Sequence, residues 1–160
     1  MTLAFGALDG ALRRARDFDF GERFAPLAEA LMWLVIINDS FWEDDEADYR
    51  QHRESNVAGR SIEGLRYARH RLVHDIKVYG MHGALSAAVW GESNWGEAVW
   101  GDEPSWNWRT ADTLDPAIDR TGEDLYRECL EGKPVLPTLE VATEYLRSYR
   151  SIWPLLVPKD

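Results

Sequence analysis

The sequence has little of what defines secreted, zinc-bound or membrane-spanning proteins. Its one cysteine, Cys129, excludes an intramolecular disulfide framework and a cysteine-based zinc site. Its longest apolar run covers residues 31–37, well short of the roughly 20 residues that cross a bilayer. Residues 1–9 have no basic stretch ahead of their apolar residues, which a secretory signal would have. We therefore expect a cytoplasmic protein with no membrane span.

Basic residues are also scarce, since 18 Lys and Arg stand against 28 Asp and Glu and give a formal net charge of −10. A charge of this sign argues against bulk attraction to nucleic acid or to anionic lipid. The basic residues are placed unevenly, because residues 78–108 contain none and residues 50–77 contain seven against three acids. Positive charge is thus concentrated in one part of the chain.

The length and the apolar pattern predict an all-α fold, a small helical bundle of about five helices in a single domain. The chain has 160 residues, of which 45% are apolar and 29% charged, as in globular domains. The expected helices cover residues 3–16, 22–42, from Ser55 or Ser61 to Tyr79, 124–132 and 137–152, with Gly80 as the cap that ends the third. The acidic cluster at residues 43–48 is expected to form a turn or a helix start. The domain would cover residues 1–153, followed by a loose tail at 154–160.

Two features complete the expected fold. The helix over residues 22–42 is apolar on nearly all sides, which is typical of a helix buried all round or placed at an oligomer interface. A Trp- and Gly-rich insertion over residues 84–114 contains the Trp-Gly-acid triplets 90–92, 95–97 and 100–102, a spacing that fits neither a helix nor a regular strand. We expect an irregular segment or a short β-hairpin, with 106–108 as a strand. Because it is acidic, its tryptophans are expected to pack in the core or on a partner protein rather than on RNA bases.

The basic part of the chain contains the run Arg69-His70-Arg71-Leu72-Val73-His74. Five helical positions turn about 500°, so Arg69 and His74 lie about 140° apart around the helix axis and reach one ligand only across a groove. The unperturbed pKa of a histidine, about 6.5, suits proton transfer near neutrality, and an arginine donates to phosphate oxygens through a planar fork. These two groups are sufficient for metal-independent RNA cleavage.

The same run resembles the RX4–6H motif of HEPN domains, in its Arg-polar-X3-His form. Arg69 and His74 match the arginine and histidine of that motif, and His70 matches the polar residue after the arginine. The resemblance implies a small helical bundle that forms a homodimer, in which the two motif helices create a composite RNase site without a metal or other cofactor. It also implies an RNase toxin or defence protein, with an antitoxin or another protein as partner. The nearby residues expected to bind RNA are Arg66, Arg71 and Lys77.

Other interpretations of these residues remain open. Arg66, Arg69 and Arg71 would alternatively form a solvated face that pairs with Glu63, Asp75 and the acidic cluster, through ion pairs worth ~0–1 kcal/mol each. His70 and His74, four residues apart, would alternatively bind a metal if His52, His82 or Asp75 supplied a third ligand, although the glutamate of the His-Glu-X-X-His zinc signature is missing. A third possibility is a non-catalytic HEPN-like module that binds a nucleotide or a protein. For Cys129 we expect a buried thiol.

Overall fold

The computed structural model describes residues 1–44, 46–74, 78–82, 105–114 and 120–156. In this part of the chain the architecture is a mostly helical bundle with one small antiparallel sheet, as expected. The helices are α1 Thr2–Asp17, α2 Phe24–Asp44, α3 Glu46–Glu54, α4 Val57–His74, α5 Glu123–Cys129 and α6 Val135–Leu156, and the strands are β1 Tyr79–His82 and β2 Ser105–Trp108. Short 3-10 turns cover Phe20–Glu22 and Ala111–Thr113.

Helix α3 is the element that the apolar pattern does not predict. The acidic cluster contains both the last residue of α2, Asp44, and the first residue of α3, Glu46. Within α3, Tyr49 and Arg53 are buried, one turn apart. A helix is recognised in a sequence by repeated apolar positions, and α3 buries only one aromatic and one charged residue.

The predicted end of the third helix is wrong. Helix α4 ends at His74, and Tyr79 begins β1, in which Gly80 is a strand residue rather than a helix cap. Tyr79 pairs with Trp108 at one end of the sheet and His82 with Ser105 at the other. The side chain of Arg109 packs over Gly80, where an added Cβ would lie 2.9 Å from its Nε. The short strand β1 is thus specified by its pairing with β2.

The predicted hairpin in the insertion and the predicted start of the C-terminal tail also differ from the structure. The 106–108 strand is confirmed, but its partner precedes the insertion instead of lying inside residues 84–114. The Trp-Gly-acid triplets lie outside the described residues. Helix α6 continues through Leu156. Residues 154–156 are therefore helical, and the prediction that a loose tail begins at residue 154 is wrong.

Apolar faces of the long helices form one core, and β2 contributes to it. Leu31, Leu34 and Ile37 of α2 are buried, whereas Ile36 is 45% exposed, so this helix keeps one side in contact with solvent. Trp108 is 1% exposed and packs edge-on against Tyr79, with ring centroids 5.0 Å apart. The prediction that tryptophans of this segment pack in the core is therefore confirmed for Trp108.

Helix α2 is also long and apolar enough to cross a membrane. Residues Phe24–Glu43 meet that test by length and composition, and half of the most apolar stretch is buried inside the fold. Core helices of globular domains meet the same test. The absence of a membrane span therefore stays a prediction.

Candidate functional site

Helix α4 carries the motif, and both its start and its middle are held firmly. Asn56 caps its first turn, because the Asn56 Oδ1 accepts a hydrogen bond from the backbone N–H of Ala58 at 2.8 Å. Further along, Gly64 allows α4 to approach α5 closely, since a Cβ at this position would lie 3.0 Å from the Cα of Tyr126. The last turns of α4, which contain the motif, therefore extend from a fixed contact with α5.

Arg71 does not belong to the accessible part of the site. It is 1% exposed, and its guanidinium carbon lies 4.7 Å from the centroid of the Tyr67 ring. Tyr67 and Arg71 are one turn apart on the side of α4 that continues from Gly64 and packs on α5. The expected contact of Arg71 with RNA is thus wrong, because helix geometry turns this side chain into the core.

Arg69 and His70 line a small pocket on the neighbouring side of α4, next to the turn before α5. The pocket has a volume of about 130 Å³, and its other lining residues are Glu63, Arg66, Tyr67 and Thr121. Arg69 is half-buried, and its Nε is shielded from solvent with no hydrogen-bond partner. Among the described residues Arg69 makes no ion pair. A cation of this kind can bind an incoming ligand without first breaking an internal ion pair with that part of the chain.

His74 is exposed at the end of α4 and lies outside this pocket. Its ring packs on that of His70, with centroids 4.9 Å apart and planes inclined at 60°. The structure thus brings His70 together with both Arg69 and His74. Arg69 and His74 themselves remain on different sides of the helix, as the sequence predicts.

Arg66 is accessible but ion-paired. Its Nη1 lies 3.4 Å from both carboxylate oxygens of Glu63, and its Nε lies 3.5 Å from Oδ1 of Asp39 on α2. These long contacts are weak, so Arg66 keeps part of its capacity to bind an anion. The pairing with Glu63 was the one anticipated for a solvated face, whereas Asp39 replaces the acidic cluster as the second partner. Lys77, the remaining residue expected to bind RNA, lies outside the described residues.

A polar network behind the pocket was not found from the sequence. The carboxylate of Glu63 also pairs with Nη1 of Arg53 at 3.0 Å, and the two side chains are 16% and 7% exposed. The Arg53 guanidinium in turn lies 4.9 Å from the centroid of the Trp42 ring. The only available signal was an arginine one turn from an aromatic residue in α3, which in a sequence is more often a surface residue.

The network continues into the core through α2. Buried Asn38 donates from Nδ2 to Oδ1 of Asp39 at 2.9 Å and accepts at its Oδ1 from the hydroxyl of Tyr49 at 2.8 Å. Burial raises the pKa of Tyr49 well above its usual value, so its hydroxyl stays a donor. Asn38 directly follows the apolar run of α2, and a buried amide there requires such partners.

The metal-binding interpretation of the histidines loses one of its ligands. Nδ1 of His52 lies 3.0 Å from the hydroxyl of Tyr145, and its ring packs on Tyr149 with centroids 5.0 Å apart. His52 thus belongs to an aromatic contact between α3 and α6, not to the end of α4. Asp75 and the side chain of His82 lie outside the described residues, and within the described ranges no three His, Cys, Asp or Glu side chains are grouped as metal ligands.

Cys129 is a buried thiol, as predicted. It is the last residue of α5 and is 8% exposed, and burial raises its pKa above the usual value. A raised thiol pKa lowers the fraction of reactive thiolate at neutral pH. Cys129 is therefore a structural residue of the α5 end.

Comparison of the chain with models of protein families, with curated proteins and with solved structures finds no match.

Proposed function

We propose that this chain is a metal-independent endoribonuclease of HEPN type, which acts as a homodimer and uses Arg69 and His74. The observation that carries the proposal is the pairing of two features at one end of α4. Arg69 presents a guanidinium with an unpartnered Nε in a pocket, and an exposed imidazole, His74, is joined to that pocket through the ring of His70.

The reaction needs one group to accept a proton, one to donate a proton and one to bind the charged phosphate. The imidazole of His74 accepts the proton of a ribose 2′-hydroxyl, and the 2′-oxygen then attacks phosphorus. The P–O bond to the 5′-oxygen breaks, which leaves a 2′,3′-cyclic phosphate, and a protonated imidazole of the second copy gives its proton to the departing oxygen. Arg69 donates hydrogen bonds to the phosphorane oxygens as their charge develops.

A second copy is needed because one α4 does not bring Arg69 and His74 to the same side. The surface around the motif supports such a contact. The Asp39–Arg66 ion pair joins α2 and α4, and Ile36 lies one turn before Asp39 with 45% of its surface exposed. Val73, one turn after Arg69, is 62% exposed. Two exposed apolar side chains that flank a polar motif are the expected pattern of a protein contact.

A non-catalytic module that binds a nucleotide or a protein is the second candidate. It is favoured by the small number of positive charges available to a ligand, since Arg71 is buried and Arg66 forms ion pairs with Glu63 and Asp39. Fewer available cations mean weaker binding of a long RNA backbone. Either candidate is compatible with an antitoxin or another protein as partner, and with a toxin or defence role.

Cleavage of a fluorescent single-stranded RNA in the presence of EDTA tests the proposal. We expect the wild-type protein to produce fragments with 2′,3′-cyclic phosphate ends, and both Arg69→Ala and His74→Ala to lower the rate by about 100-fold or more. Arg13→Ala, which removes an exposed arginine of α1, is the matched control and should keep the wild-type rate. Activity that survives both Arg69→Ala and His74→Ala would show that the proposed mechanism is wrong.

A further inference from the structure

The pocket beside the motif contains a carboxylate as well as cations. Glu63 lines it together with Arg66, Arg69 and His70, and the side chain of Glu63 is 16% exposed. A carboxylate repels a phosphate group, so a pocket built only to bind the RNA backbone would not place one here. A carboxylate that accepts hydrogen bonds and a guanidinium that donates them, placed side by side, can together bind a neutral group with donors and an acceptor on one edge.

Glu63 has capacity left for a ligand. An ionised carboxylate offers about four acceptor positions. Nη1 of Arg53 forms an ion pair with Oε2 at 3.0 Å, and the two hydrogen bonds from Arg66 are long, at 3.4 Å. Arg53 is buried and does not line the pocket, whereas Glu63 does, so the ion pair with Arg53 leaves Glu63 at the pocket wall.

The opposite wall of the pocket is fixed by a tight turn. Gly122 has a φ of +85°, which favours glycine, and a Cβ there would lie 2.9 Å from the backbone oxygen of Glu63. This contact holds the turn before α5 against α4 and places Thr121 in the pocket lining. The spacing between α4 and the turn before α5 is therefore set by a backbone contact.

The size of the pocket limits what it can take. Its volume of about 130 Å³ is well below the roughly 300–1,000 Å³ of sites that enclose a whole drug-sized ligand. One planar group fits, with the rest of the ligand outside. Imidazole rings are among the groups on which RNA bases stack, and His70 supplies one here.

We infer that this pocket binds a guanine base next to the bond that is cut, an inference that rests on the proposed RNase function. Guanine is the base whose Watson–Crick edge presents two adjacent donors, N1–H and the N2 amino group, beside an acceptor, O6. The Glu63 carboxylate accepts from both donors, and the unpartnered Nε of Arg69 donates to O6, which leaves the terminal nitrogens of the guanidinium for the phosphate. Adenine, cytosine and uracil each present one donor group on that edge and leave the carboxylate partly unpaired. Glu63 is thus a specificity-determining residue.

Calorimetric or NMR titration of the wild-type protein with each of the four ribonucleoside 3′-monophosphates tests the inference. We expect guanosine 3′-monophosphate to bind at least about tenfold more tightly than each of the others. Inosine 3′-monophosphate, which lacks only the N2 amino group, should lose most of that preference. Equal affinities for all four nucleotides, or for guanosine and inosine, overturn the inference without any mutation.

A matched pair of variants identifies the carboxylate. Glu63→Gln should reduce the preference for guanosine to about threefold or less, because the amide offers one acceptor in place of two. Glu128→Gln, which changes a carboxylate paired with Arg60 on the surface, should keep the full preference. A Glu63→Gln protein that folds and keeps the preference contradicts the assignment, and if it does not fold the inosine comparison decides.

The two proposals fail separately. Guanosine preference in binding without any RNA cleavage would leave the base pocket intact and reject the nuclease. Cleavage with fragment ends spread evenly over the four bases would keep the nuclease and reject the guanine pocket.

Discussion

The imidazole rings of His70 and His74 pack on each other at the end of α4, with centroids 4.9 Å apart and planes inclined at 60°. His70 also lines the pocket that contains Arg69. It therefore lies between the two other members of the motif, which are about 140° apart around the helix. His70 is in the position to hold the exposed ring of His74 in one orientation relative to Arg69.

The first prediction separates a reacting imidazole from a positioning one. His74→Ala should lower the single-turnover rate of RNA cleavage by about 10²–10⁴-fold, because a proton acceptor is removed. His70→Ala should lower it by only about 10- to 100-fold, through misplacement of the remaining groups. His70→Phe keeps a ring against His74 and should recover part of that loss. A larger effect of His70→Ala than of His74→Ala would reverse the two roles.

The second prediction concerns the exposed apolar residues near the motif. Val73→Asp should convert the expected dimer to a monomer in sedimentation velocity and abolish RNA cleavage, because a carboxylate would be desolvated at the contact. Val141→Asp, at a similarly exposed valine of α6, is the control and should stay dimeric and active. An active, fully dimeric Val73→Asp protein would place the dimer contact elsewhere.

The third prediction contrasts two arginines that are two residues apart. Arg71→Ala should lower the free energy of unfolding by about 1–3 kcal/mol, since it removes a fully buried side chain packed on Tyr67. Arg69→Ala should change stability by no more than about 0.5 kcal/mol while it removes activity. Urea titration followed by tryptophan fluorescence measures both. Equal stability losses would contradict the different burial of the two side chains.

The fourth prediction tests the close contact of α4 with α5. Gly64→Ala should destabilise the protein by about 1–3 kcal/mol, because the new Cβ would meet the Tyr126 backbone at 3.0 Å. Gly6→Ala in α1 meets nothing within 4 Å and should stabilise by up to about 1 kcal/mol, as alanine favours helix over glycine. Thermal unfolding of both variants gives the sign. A Gly64→Ala protein as stable as wild type would show that α5 moves away at little cost.

The fifth prediction is a pH dependence on the alkaline side. Burial raises the pKa of the Tyr49 and Tyr79 hydroxyls above their ordinary value near 10.0. A group whose pKa is raised in the folded state adds stability below its unfolded pKa and loses it as the pH rises further. We expect the free energy of unfolding to fall above about pH 10, with phenolate absorbance appearing together with loss of circular dichroism. Normal tyrosine titration in a still-folded protein would contradict the burial of these rings.

The helices that the sequence predicted best are those with long apolar stripes. Helices α1, α2 and α6 differ from their predicted bounds by a few residues, because repeated apolar positions over four or more turns identify both the helix and its buried side. The sequence predicts Tyr79, the first residue of β1, as the last residue of a helix and Gly80 as its cap, since four strand residues have no recognisable period. The conformation of β1 depends on a strand more than twenty residues away in the chain, which local patterns do not reveal.

Only part of the candidate site was predicted, because the rest depends on contacts between residues that are distant in the sequence. The sequence places Arg69, His70 and His74 near one another at the end of one helix, and the structure agrees. Arg71 is buried because its side of α4 packs on α5. Its charge alone predicts an exposed side chain. Likewise, the position of Glu63 in the pocket depends on contacts with α3 and with the turn at Gly122, both distant in sequence.

The pairing of His82 with Ser105 gives the sheet a consequence for how this chain can vary. Directly opposed strand residues lie about 5 Å apart, so the two ends of the connection between β1 and β2 are close together. A two-residue turn is enough to join such strands, and each doubling of a longer connection costs only about 0.6 kcal/mol in closure entropy. Because the sheet fixes both ends of this connection, we expect α4 and its motif to tolerate a change in its length.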